Sequence, residues 1–171
     1  MKRITLVSLI VLITSSVFAQ TMVSKDFRIV GYLPSYRWSV MNSIDFTKLT
    51  HVCYSFANPN ANGDFTFNQN ISTLKTKAAA ANCKVFASIG GAGVTAIHTK
   101  AYNDLTKPAV LPGFIHQLMN YLRSAGVDGV DVDLEGDLVK MSTYNDFVVQ
   151  LGDSVHAAGL KMSAALALWT A

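Results

Sequence analysis

The chain has little of what several large classes of protein depend on. Its 171 residues include two cysteines, Cys53 and Cys83. Their spacing matches no metal-ligand pattern, which excludes a disulfide-dense scaffold and a structural zinc site. Both lie in apolar, strand-like contexts, which leaves open one disulfide or two buried thiols. Charge is sparse, with 14 basic and 11 acidic residues. No basic cluster is interleaved with aromatics, so no nucleic-acid partner is expected. The four histidines, His51, His98, His116 and His156, are scattered, form no ligand pair and read as ordinary surface or edge residues. Low-complexity tracts, linkers and short repeats are absent, and a single domain with an adequate core is expected.

The one long apolar run is at the start. Lys2 and Arg3 precede an uncharged stretch from Ile4 to Phe18, and Val17-Phe18-Ala19 places small residues where a signal peptidase reads. Residues 1–19 are therefore expected to be a signal peptide, cleaved before Gln20. The run is short for a membrane span and is interrupted by Thr14-Ser15-Ser16. No cysteine follows the cleavage point to take a lipid, so residues 20–171 are expected to be secreted, without stable membrane association. Cleavage would remove two of the 14 basic residues and no acidic ones, leaving 12 against 11.

Strand and helix patterns alternate along the rest. Arg28 to Leu33 reads as a buried strand, and Thr50 to Ala57 as a second, stopped by the turn cluster Asn58-Pro59-Asn60-Ala61-Asn62-Gly63. Ile71, Leu74, Ala78 and Ala81 recur at helical spacing, which predicts a helix over 71–82. Lys84 to Ile89 is a third strand, closed by Gly90-Gly91. After a loop, Pro112 opens a helix that ends at Gly126. Ser142 is placed to cap a helix running to Gly159, and Leu160 to Leu168 is a fifth strand. Such alternation implies βαβ units and a parallel sheet.

Between Gly126 and Ser142 stands the most informative segment, Asp128-Gly129-Val130-Asp131-Val132-Asp133-Leu134-Glu135. On a strand, Asp131, Asp133 and Glu135 share one face, and Val130, Val132 and Leu134 the other. A row of buried carboxylates persists only where it is paired, hydrogen-bonded, metal-bound or open to a site. Neighbouring carboxylates also raise one another's proton affinity, which suits acid–base work. The first strand is followed by Pro34-Ser35-Tyr36-Arg37-Trp38 rather than a glycine-rich phosphate loop, which disfavours a dinucleotide fold. An acidic row ending at the carboxyl end of a strand favours a (β/α)8 TIM barrel. A full barrel takes about 250 residues, so we read this chain as the first five β/α units of one, a truncated N-terminal portion spanning 20–171.

These residues carry a resemblance. Asp128 to Glu135 is similar to the D-x-x-D-x-D-x-E signature of the family 18 glycoside hydrolases, which include chitinases and endo-β-N-acetylglucosaminidases. Ser88-Ile89-Gly90-Gly91 resembles their S-x-G-G motif, and Gly31-Tyr32 their first strand. The resemblance implies Glu135 as general acid. It implies Asp133 as the group that orients the substrate's acetamido N–H, while the acetamido oxygen itself attacks the anomeric carbon. Asp131 would share a proton or hydrogen bond with Asp133, with Tyr32 and Ser88 as supporting donors, and Asp128, on the opposite parity, would be structural. It further implies retaining hydrolysis of β-1,4-linked N-acetylglucosamine polymers or oligomers with no cofactor and no metal. Phe56, Gly90, Gly91, Tyr36, Trp38 and Trp169 are candidate substrate-binding residues. Tyr36 and Trp38 are equally consistent with packing beneath a loop, and Phe56, at the end of the second strand, is more often a core residue than a pocket one.

Two other readings compete. A non-catalytic carbohydrate-binding relative on the same fold would be expected to lack the acid, and Glu135 is present. Asp131, Asp133, Glu135, Gly136 and Asp137 also mimic the opening of an EF-hand calcium loop, but its twelfth position is Ser142 and a β-pattern precedes it. Because that family places further pocket residues on later strands, the fragment alone is expected to be inactive. Its unpaired sheet edges are expected to promote self-association. Asn70-Ile71-Ser72 is a glycosylation sequon of low specificity.

Overall fold

The computed structural model describes residues 27–66, 70–92 and 96–166. Five parallel strands lie in sequence order: β1 (Val30–Pro34), β2 (His51–Ser55), β3 (Lys84–Gly90), β4 (Gly129–Asp133) and β5 (Lys161–Ala164). Four helices cover one face: α1 (Ile71–Ala80), α2 (Ala96–Leu105), α3 (Leu111–Ala125) and α4 (Tyr144–Ala157). Parallel strands that pair only with their sequence neighbours, joined through helical segments, make the first five strands of a (β/α)8 barrel. The expected signal segment and Trp169 lie outside the described residues.

Alternation along the strands divides the interior into two environments. Val85, Ala87, Ile89, Val130 and Val132 point to the helices and enter the main core with Leu74, Phe114, Leu118, Leu122, Phe147 and Leu151. The other parity lines the concave face that a barrel turns inward. There the register aligns Ser55, Ser88, Asp131 and Ser163 as one layer. Below them Tyr32, Cys53, Phe86 and Gly129 form the next layer. Both cysteines are buried free thiols. Cys53 sits in the concave layer and Cys83 in the helix-side core. Burial, reinforced by the Asp131 charge, pushes the Cys53 thiol up to about 12.

Helix ends follow local chemistry. Pro112 occupies the first turn of α3, where its missing N–H costs nothing, and Gly126 takes the left-handed conformation that closes it. Three expectations are revised. Ala96–Leu105, read as loop, is a helix that buries only Ala101, Tyr102 and Leu105. His51, read as a surface or edge histidine, is buried edge-to-face on Phe86, and burial lowers its proton affinity. The helix after the acidic strand is preceded by Thr143 rather than Ser142. The Thr143 hydroxyl meets that of Thr106 at 2.7 Å.

Candidate active site

Asp131 lies at the centre of its layer and is 1% exposed. Its register partners on both sides are serines, and both donate to it: Ser88 Oγ to Oδ2 at 2.8 Å and Ser163 Oγ to Oδ1 at 2.6 Å. Tyr32 Oη adds a bond to Oδ2 at 3.0 Å, reaching from β1. Three hydroxyl donors meet the requirement that a buried carboxylate be hydrogen-bonded. Burial and the adjacent Asp131 charge in turn hold the Tyr32 phenol far above its ordinary range, so it remains a donor.

Asp133 stands one layer higher, level with Gly90, and is 8% exposed. Burial, then the charges of Glu135 and Asp131, then a hydrogen bond with Glu135 raise its carboxyl from 3.8 to about 6. The oxygens of Asp131 meanwhile accept from the three hydroxyls. β4 ends at Asp133. Glu135 is in extended conformation just beyond, at the head of a short 3-10 helix, Gly136–Lys140, and is exposed. It separates two clefts. One of about 790 Å³ includes Asp133, Glu135, Lys140 and Tyr144; the other, of about 280 Å³, includes Ala92, Thr99, Glu135 and Asp137. An exposed carboxyl beside a second, buried one is placed to exchange a proton with a bound substrate.

The ends of β2 and β3 frame the pair. Gly90 and Gly91 have φ of +102° and +92°. A Cβ on Gly90 would press into the Asp133 carbonyl, and one on Gly91 would lie 2.5 Å from the Phe56 ring. Phe56, Gly90 and Gly91 are thereby brought together beside Asp133. Tyr36 and Trp38 are not. Tyr36 is 81% exposed, with the Arg37 guanidinium 5.9 Å from its ring centre. Trp38 stacks on Tyr54 at 5.4 Å and packs against the helix-side core. Asp128 accepts the Val85 N–H at 2.9 Å and pairs with Lys84 at 3.1 Å, away from the acidic layer. Because Asp131 and Asp133 lie on a strand, the segment does not form an EF-hand loop. Ser163, the third donor to Asp131, is a residue that sequence reasoning missed.

The family model for glycosyl hydrolases family 18 matches residues 28–167. Among solved structures, the chain is similar to the family 18 chitinase ChiB from the chitin utilization locus of Flavobacterium johnsoniae. The identity is 32% and the TM-score 0.76, covering 80% of this chain and 45% of that one. A chitinase from Bacteroides thetaiotaomicron matches at 24% identity and TM-score 0.63, over 82% of this chain and 47% of that one. A chitinase-like agglutinin from Robinia pseudoacacia matches at 23% and 0.63, over 79% and 45%. The chain thus spans about half the length of these structures. No curated protein matches it. The family match runs through all five strands and every residue of the acidic row, and on that ground the chain belongs to the glycosyl hydrolases of family 18.

Proposed function

We propose that the protein carrying this chain hydrolyses β-1,4-linked N-acetylglucosamine polymers or oligomers, with retention at the anomeric carbon. The observation that carries the reading is the placement of a buried Asp133 and an exposed Glu135 at the end of β4, above an Asp131 enclosed by three hydroxyls. Glu135 protonates the glycosidic oxygen from its exposed position between the clefts. The acetamido oxygen attacks the anomeric carbon of its own sugar as the bond from that carbon to the glycosidic oxygen breaks, so that the other sugar leaves as an alcohol and a cyclic oxazolinium forms. Asp133 accepts the acetamido N–H, which turns that oxygen toward carbon and offsets the positive charge that develops. Water then opens the ring, with Glu135 taking its proton back. Phe56 and Gly91, packed together beside Asp133, bound the sugar bearing the acetamide in this reading. Delivery outside the cell, through removal of residues 1–19, suits a polymeric substrate that cannot cross a membrane.

The test is Glu135→Gln in the full-length protein. The amide keeps the shape and cannot donate an acidic proton, so turnover of chitotetraose is expected to fall by about 100-fold or more, within the range for acid–base catalysis of about 10²–10⁴. Affinity for the tetramer should stay within a few-fold. Binding without turnover in the parent protein would favour a purely carbohydrate-binding role, and unchanged turnover in the variant would contradict the assignment of the acid.

A further inference from the structure

From the end of β2 we infer that Asn58 and Tyr102 form a clamp that positions Asp133 without touching the substrate, an inference that rests on the hydrolytic reading above. β2 pairs with β3 as far as Ser55 opposite Ser88, and the Ala57 N–H still donates to the Ser88 carbonyl at 2.7 Å. Beyond that the chain departs through Asn58-Pro59. The backbone of β2 therefore supplies no further rung for Gly90. The Asn58 side chain supplies it instead. Its Oδ1 accepts the Gly90 N–H at 2.7 Å, and its Nδ2 donates to the Gly90 carbonyl at 2.9 Å. A primary amide offers the same donor and acceptor as a peptide group, so it extends the ladder by one rung.

Tyr102 fixes that rung from the outer layer. Its hydroxyl, carried on α2, donates to the same Oδ1 at 2.8 Å. The ring is fully buried and edge-on to Phe114 at 6.2 Å, so the donor has a rigid mount. The reversed orientation of the amide would set its N–H against the Gly90 N–H and its oxygen against the Gly90 carbonyl, so one orientation is selected, and it is the one that accepts from Tyr102. On its far side the same glycine segment holds the site, because the Gly91 N–H donates to the Asp133 carbonyl at 2.6 Å. The positive φ of both glycines and their close approach to Asp133 leave the segment no side chain of its own for support. Its plane is set by Asn58, and the position of the β4 end, with Asp133 and then Glu135, is set by that plane.

The experiment compares the full-length parent with Asn58→Ala, Tyr102→Phe and the double variant. It reads kcat and KM on chitotetraose, the thermal transition, and the Asp133 titration followed by 13C NMR of carboxyl-labelled aspartate. Asn58→Ala is expected to lower kcat by about 10- to 100-fold, the scale of a misplacement of about 1 Å, with KM within about twofold. Its Asp133 titration should move away from the parent's value of about 6. Tyr102→Phe should lower kcat several-fold, and the double variant should be no slower than Asn58→Ala, because one acts through the other. A cooperatively melting Asn58→Ala protein with kcat within twofold and an unmoved titration would overturn the clamp. If Asn58→Ala does not fold, Tyr102→Phe decides on the same two readings, and no change in either overturns the clamp. Should the parent turn over no N-acetylglucosamine oligomer, the hydrolytic reading fails, while the titration still decides the clamp.

Discussion

Replacing Asp133 with asparagine should make the protein more stable, and by an amount that grows with pH. Burial and the adjacent charges of Glu135 and Asp131 raise the Asp133 carboxyl from 3.8 to about 6 in the folded chain. Between those values the folded state holds a proton that the unfolded state has released, so stability falls as pH rises across the window. At about 1.4 kcal/mol for each pH unit, the full cost is about 3 kcal/mol once pH exceeds 6 and none below about 3.8. The amide of the variant cannot ionise and escapes that cost. Urea unfolding of parent and Asp133→Asn proteins at pH 3.5, 5, 6 and 7.5 should show a stability difference that increases by about 3 kcal/mol in favour of the variant. Neighbouring charges contribute to the Asp133 shift, so the change is read across the whole window rather than at one midpoint. A difference that stays flat with pH, or that moves against the variant, would refute the placement of the proton.

Other substitutions probe the frame around the pair. Ser163→Ala leaves Oδ1 of a buried carboxylate without its donor and should cost about 1–3 kcal/mol in urea unfolding; a neutral result would remove Ser163 from the site. Gly136→Ala places a Cβ in open space at φ +60°, for about 1–2 kcal/mol of backbone cost alone. Gly91→Ala adds a collision with the Phe56 ring and should cost clearly more by the same assay; equal losses would contradict the packing of that ring. Thiol titration should find Cys53 and Cys83 unreactive in the native protein and two reactive thiols after denaturation. One disulfide per chain would contradict the structure.

The acidic strand was legible because its period of two separates carboxylates from valines without any tertiary information. The same parity reaches too far, since the strand stops at Asp133 and Glu135 belongs to the next turn. Pro112 and Gly126 marked α3 because each suits one end of a helix and not the other. α2 carried no such marks. Its threonine, histidine and asparagine are indifferent helix formers, and three buried residues give only a narrow stripe. Ser163 was invisible for a different reason. A serine on a short strand has no pattern, and only the register opposite Asp131 reveals its use. Asn58 was read as a turn residue, which it is, but its amide works at Gly90, 32 positions away. The sequence alone does not decide between two roles for Trp38, because its stack on Tyr54 depends on the path of the Ser35–Ser43 3-10 segment, which composition does not determine.

The central claim is that a carboxyl pair at the end of β4 works with the substrate's own acetamide. Proton NMR of the first products released from chitotetraose by the full-length protein, run beside cellotetraose, tests it most directly. β-Anomers should appear first from chitotetraose, and cellotetraose, whose glucose units lack the acetamide, should not be cleaved. Initial α-anomers, or comparable cleavage of cellotetraose, would contradict it.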